Sequence, residues 1–265
     1  MDLEVEDNMT SVNLLAKVAD STILEKAFQW CCKSREHFHE SSDIWLVRER
    51  WDIIKPLLRQ QLLAGSYNFS PMLRFRTACE DGSRAIWSAE DAIVIKAISM
   101  VLTEYLKPKL SKQCTHLAGN GGIQYAITAT RKYVQNNTFF FKTDIASFYS
   151  SINHDKLCAM LSDLIADKAL LKLIYQTIRR TELSSGNLNR ILQGIPLGSP
   201  LSPLLAGVFL YPIDKLMMNT DYIRFMDDYV FFTNSRRKLK ELIRKMYVIL
   251  NKLKLITHKG KMCDS

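Results

Sequence analysis

The sequence predicts an α+β fold. Long stretches with apolar residues at helical spacing, such as 12–64 and 235–253, alternate with short, strongly apolar runs of strand length at 138–145 and 221–233. At 265 residues, 47% of them hydrophobic, the chain can bury a core filling one large domain or two closely joined ones, which argues against general disorder.

The elements follow in order. Across 12–64, Leu24, Phe28, Trp45, Trp51, Ile54, Leu57 and Leu58 recur at helical spacing among many charges, which predicts a helical extension over 1–65. Gly65-Ser66-Tyr67-Asn68 punctuates its end. Between Pro71 and Trp87, Asp81-Gly82 reads as the turn of a β-hairpin bearing Arg74, Arg76 and Arg84. From Ser88 the chain has a capping box in Ser88 and Asp91, strong helix formers, and Pro108 as a stop, so a helix is expected there. The Gly-rich stretch 119–122 enters another helix that contains Arg131 and Lys132.

Residues 138–145, TFFFKTDI, have the length and character of a buried strand ending on an acid, and one helix is expected over about 154–180. The segment SSGNLN at 184–189 follows, with no element assigned to it. An apolar helix from about Ser202 to Met217 comes next. Then comes a β-hairpin over 221–233 whose two apolar strands meet at Met226-Asp227-Asp228. A basic helix over 235–253 leads into the tail LKLITHKGKMCDS, to which no element is assigned.

Lys and Arg exceed Asp and Glu by 36 to 27, a net charge of +9 that suits a polyanionic partner. The cysteines, at 31, 32, 79, 114, 158 and 263, form no C-x-x-C pair and have no zinc-finger spacing to histidine, so a reduced setting fits. The acidic start MDLEVEDNMT is neither a secretory signal nor a mitochondrial presequence, and no segment has the uninterrupted apolar length of a membrane span. A cytoplasmic location with no membrane contact is expected.

Asp227 and Asp228 are adjacent acids flanked by Ile223, Phe225, Val230, Phe231 and Phe232, so they should sit on a tight turn leaving a hydrophobic sheet. Two carboxylates held there repel each other unless a cation intervenes; a solvated hairpin turn is the plainer account of the pair alone. Asp144 alters the balance. It also ends an apolar strand, where an unpaired buried acid is costly and a metal ligand is not. Three acids at strand ends form the set that two-metal phosphoryl transfer requires, with hard oxygen ligands for two Mg²⁺ ions, or Mn²⁺ in their place, and the backbone carbonyl of Ile145 as a further donor.

Three segments carry a resemblance. DIASFYSSI at 144–152, QGIPLGSPLSPLLAG at 193–207 and FMDD at 225–228 resemble, in order and spacing, motifs A, B and C of the bacterial reverse transcriptases, the lineage of group II intron, retron and defence-associated enzymes. The second segment is long and specific, and the resemblance covers roughly 40–262. It implies a right-hand polymerase: fingers over 66–137 and an RRM-like palm over 138–265, with a fingers-side helical segment at about 154–190. It also implies an RNA-directed DNA polymerase that takes an RNA template, a DNA or RNA primer and dNTPs, serving a retroelement or antiphage defence, with a dedicated non-coding RNA or a partner protein as a further associate.

By the same resemblance, Asp144, Asp227 and Asp228 match the metal-holding acids. Phe148 matches a steric gate that would clash with a ribose 2′-hydroxyl, with Tyr149 as the competitor, since neighbours on an extended segment face opposite ways. Gln193 matches the residue against the incoming nucleotide, and Gly194, Pro196 and Gly198 shape the backbone beside it. Arg84 matches the base that binds the triphosphate, with Arg74 and Arg76 as competitors. Lys261 matches a lysine that assists the pyrophosphate leaving group, with Lys259 two residues away and a charged tail as the plain account. Asp91 is explained by its place at a helix start. All five histidines read as structural or exposed.

The chain departs from the family pattern in two places. Phe225 replaces the tyrosine of Y-x-D-D, keeping the ring and losing a hydroxyl. After Lys261 the family's F-L-G strand, primer-gripping hairpin and helical thumb do not follow, so a truncated chain, a thumb supplied by another polypeptide, or work on a pre-bound primer-template is expected. The rival functions are an untemplated or protein-primed DNA polymerase, and a non-catalytic RNA-binding protein that kept a polymerase fold.

Overall fold

The computed structural model describes residues 13–76, 83–258 and 261–264. Four helices open it: α1 (Leu14–Val18), α2 (Ser21–Ser34), α3 (Asp43–Glu49) and α4 (Trp51–Leu63). Asn13 and Asp20 accept backbone N–H groups at the first turns of α1 and α2, satisfying donors that a helix start leaves without partners. Their apolar stripes converge. Phe28 stacks on Trp51 at 4.2 Å, and Leu24, Leu58 and Leu62 are buried between the helices.

β1 (Met72–Arg76) and β2 (Ser83–Ile86) pair antiparallel, Leu73 opposite Ile86, as the expected hairpin requires; Asp81-Gly82 lies outside the described residues. α5 (Ala89–Leu106), capped by the Ser88 side chain, is apolar nearly all round because α1, α2 and α3 pack on it from one side. On another side its Ser99 hydroxyl donates to the Pro200 carbonyl at 2.8 Å. α6 (Gly122–Asn136) and β3 (Phe139–Thr143) follow, then a single helical turn, α7 (Phe148–Ser151).

The single helix expected over 154–180 is two, α8 (His154–Leu164) and α9 (Lys168–Ile178). Ile165 turns extended and ends α8, and the Asp167 carboxylate caps the start of α9, accepting from the N–H of Leu170 and also from that of Leu15 on α1. The segment 184–189, to which the sequence reading assigns no element, is also ordered. It is the turn of a hairpin, β4 (Thr181–Ser184) and β5 (Asn187–Arg190), with Ser185 and Gly186 both at positive φ as a two-residue turn of this twist demands. α10 (Ser202–Leu216), β6 (Asp221–Phe225), β7 (Asp228–Thr233) and α11 (Arg236–Leu253) match expectation. The tail adds an unexpected strand, β8 (Lys261–Asp264).

Two four-stranded sheets result. The first has the order β2-β1-β4-β5, with β1 and β4 parallel; the second, β6-β7-β3-β8, is antiparallel throughout. α6 packs on β6, while α11 packs on β3, β7 and α10. One continuous apolar core runs from Leu14 to Leu255, joining the N-terminal helices to the second sheet.

Candidate active site

The second sheet brings the three acids to one end. Thr143 pairs with Tyr229 and Phe225 with Asp228, so Asp144, one residue past β3, lies beside the β6–β7 turn that carries Asp227 and Asp228. An antiparallel bridge between Ile145 and Thr257 fixes the segment after β3: the Ala146 N–H donates to Ile256 at 2.8 Å and the Asp144 carbonyl accepts from His258 at 3.2 Å. Those two bonds occupy neither polar backbone atom of Ile145, whose side chain is buried.

Asp227 is half-buried, and its carboxyl holds its proton more tightly than usual, first because of burial and then because the Asp228 and Asp144 carboxylates repel its charge. The Asp144 carboxylate lies 4.0 Å from His258 Nε2. Among the described residues no three His, Cys, Asp or Glu side chains converge tightly enough, as they stand, to hold an ion. The donor set nonetheless suits a hard divalent cation: all its side-chain ligands are carboxylate oxygens, and they repel one another without one.

Phe148 and Tyr149 exchange their expected places. The segment is a helical turn entered through Ser147 at φ 48, so the alternation of an extended chain does not apply. Phe148 is 2% exposed, with its ring 6.5 Å from that of Phe209 on α10. Tyr149 turns to the acids: its hydroxyl donates to Met226 Sδ at 3.5 Å, and burial together with the Asp227 carboxylate pushes its phenol up to about 12.

Gly194 locks against this turn. Its φ is +84, and a Cβ there would meet Ser150 Cα at 2.9 Å and the Tyr149 carbonyl at 3.0 Å. The Gly194 N–H donates to Ile152 and the Ile195 N–H to Tyr149, both at 2.8 Å, so only glycine fits this approach. The Gly194 carbonyl accepts from His154 Nε2 at 2.8 Å and Arg180 Nη1 at 3.0 Å. Gln193, exposed, donates to the Ser151 carbonyl at 2.9 Å.

Arg84 is exposed on β2 of the other sheet, opposite Phe75. Arg74 is held by the buried carboxylate of Glu182, which also binds Arg180. The Arg76 side chain lies outside the described residues. Lys261 pairs through its backbone with Lys142, two positions before Asp144; its side chain and all of Lys259 also lie outside the described residues.

Two buried ionic groups beside these segments escaped the sequence reading, the Arg180–Glu182 pair and the fully buried Arg224, while His154 is buried and bonded to Gly194, within its reading as structural or exposed. Arg224 donates to both carboxylate oxygens of Asp214 on α10. Burial opposes its charge, but the Asp214 carboxylate more than restores it. The signal was present as an arginine between Ile223 and Phe225 in a core strand, which requires a buried partner.

The pattern that defines the reverse transcriptase (RNA-dependent DNA polymerase) family matches residues 85–265. Among curated relatives, the putative COX1/OXI3 intron 1 protein of Saccharomyces cerevisiae is 24% identical over 217 residues, covering 77% of this chain and 25% of that protein. The group II intron-encoded protein LtrA of Lactococcus lactis subsp. cremoris is 22% identical over 209 residues, covering 77% of this chain and 33% of LtrA. The chain thus spans a quarter to a third of these relatives. Among solved structures, a chain of a partial Cas6-RT-Cas1–Cas2 complex shares the fold, with a TM-score of 0.55 and 21% identity over 95% of this chain and 45% of that one.

Proposed function

Because the chain belongs to the reverse transcriptase family, we propose that it is an RNA-directed DNA polymerase that adds deoxynucleotides to a primer 3′ end, with Asp144, Asp227 and Asp228 holding its divalent ions. The observation that carries this reading is the half-buried Asp227 carboxyl crowded by two other acids, an arrangement that a bound cation relieves. Bound Mg²⁺, or Mn²⁺ in its place, supplies acidification of the primer hydroxyl and neutralisation of the leaving pyrophosphate. The chain's own residues do the positioning.

Tyr149, beside Met226 and the acids, is the side chain best placed to meet the sugar of an incoming nucleotide and to exclude a 2′-hydroxyl; we assign it the gate in place of Phe148. Gln193, tied through its side-chain amide to the Ser151 carbonyl, and Gly194, tied through its backbone N–H to Ile152, line the nucleotide's path, with no side chain at Gly194 to obstruct it. Arg84, exposed on the hairpin, offers a guanidinium for the triphosphate. Lys261, next to β3, is the candidate acid for pyrophosphate departure. In this reading 1–65 is an N-terminal extension, 66–137 forms fingers, and 138–265 forms an RRM-like palm. Two curated relatives are intron proteins, which supports service to a retroelement.

The test is single-nucleotide extension of a DNA primer on an RNA template with dNTPs and Mg²⁺. Extension that follows the template base and stops with EDTA is expected. Extension without template would favour an untemplated polymerase, and RNA binding without extension would favour a non-catalytic protein.

A further inference from the structure

We propose that His116, on the loop before α6, is a positioning residue that holds the Met226 peptide in the left-handed conformation from which Asp227 and Asp228 project. This rests on the polymerase reading of that turn. The sequence alone marks His116 only as a histidine before a Gly-rich loop.

A short stretch of backbone delivers it. Residues 113–115 run beside Arg224: its N–H donates to the Gln113 carbonyl at 3.0 Å, and its carbonyl accepts from the Thr115 N–H at 2.8 Å. The next residue, His116, thereby reaches the β6–β7 turn, with its ring edge-on to Phe225 at 6.1 Å. Its Nδ1 accepts from the Met226 N–H at 3.0 Å, and its Nε2 lies 3.1 Å from the Pro203 carbonyl at the start of α10.

An amide N–H can only donate and a carbonyl can only accept, so the ring must be neutral with its proton on Nε2. The surroundings enforce that state: burial, then the Arg224 charge, lowers the imidazole to about 4. The Cys114 thiol lies 3.5 Å from the same Nδ1, and burial pushes it up to about 12, so it brings no negative charge there.

Met226 needs such support. Its φ is 56, a region that residues with a Cβ enter at a cost. Its carbonyl is taken at 3.0 Å by Arg224 Nη1, whose other nitrogens are anchored on Asp214. The Met226 N–H and C=O are therefore gripped by the half-buried His116 and the fully buried Arg224, which fixes the residue immediately before the two acids. His116 also ties the turn to the first turn of α10, so motifs B and C share one orienting ring.

Two substitutions of similar size separate this role from general packing. Asparagine places its amide oxygen near where Nδ1 stands and can still accept from Met226. Glutamine places its amide nitrogen near the Nε2 position, so it can reach Pro203 but leaves the Met226 N–H unpaired. Both variants are compared with wild type by single-nucleotide extension in Mg²⁺, by thermal melting, and by hydrogen exchange over 222–232 in the metal-free protein.

H116Q should lose about tenfold in extension rate, the lower end of what losing an orienting contact around metal-binding groups costs, since His116 acts on them only through Met226, and should exchange faster across the turn. H116N should stay close to wild type in both. In an M226G background, where glycine adopts positive φ unaided, the additional loss from H116Q should shrink. Equal behaviour of H116N and H116Q, or an undiminished loss in the M226G background, would overturn the proposal. If wild type extends no primer, the polymerase reading fails, while the exchange comparison still decides the clamp.

Discussion

Asp227 concentrates the cost of this site. Its folded-state carboxyl titrates above an ordinary aspartate because of burial and its two acidic neighbours, so its ionised form opposes folding at neutral pH. That opposition fades as pH falls through the raised folded value towards the ordinary carboxylate range. Asp227→Asn should therefore raise the melting temperature of the metal-free protein by about 2 °C near pH 7, and its advantage over wild type should shrink on acidification. Added Mg²⁺ should stabilise wild type and not the variant, since only a binding-competent native state gains from the ligand. A variant that melts lower than wild type in EDTA would contradict this. Tyr149→Ala should relax discrimination against ribonucleotides, measured as the ratio of kcat/KM for dNTP and rNTP. Phe148→Ala should instead destabilise the fold by about 3–5 kcal/mol, as a buried aromatic does when truncated. The acids were legible because apolar strands frame them. The exchange between Phe148 and Tyr149 was not, because alternation presumes an extended chain and nothing in SFYSS marks the left-handed Ser147 that converts it to a helical turn.

Among the elements, the β6–β7 hairpin owes its placement to the Arg224–Asp214 pair as much as to its own apolar residues. Removing one partner leaves a charge stranded in the core. Asp214→Ala should cost about 3–5 kcal/mol in urea unfolding, and pairing it with Arg224→Met should recover much of that loss; a single variant as stable as wild type would refute the role given to the pair. Helices α5, α10 and α11 and the strands β3, β6 and β7 were legible from periodicity and apolar runs. The β4–β5 hairpin was not, since Thr181 to Arg190 is largely polar and shows no hydrophobic alternation; its one marker was the Ser185-Gly186 turn. β8 was hidden for a similar reason: its strand character comes from the edge of β3 that it covers.

At the scale of the molecule, a single core extends from α1 to the residues after α11, so the N-terminal helices are structurally continuous with the sheet that bears the acids. Asp167 makes this concrete, capping α9 while binding the backbone of α1. Such links join residues 152 positions apart and leave no trace in local sequence pattern. What the sequence did carry was the order of three motifs, and the fold brings two of their acidic segments to one end of one sheet. The central claim is that this end performs metal-dependent nucleotide addition. Its most direct test is single-nucleotide primer extension on an RNA template by wild type and by the Asp227→Ala, Asp228→Ala double variant, with RNA binding measured in parallel. The account predicts extension by wild type and none by the double variant, with RNA binding retained by both; equal extension by the two proteins would contradict it.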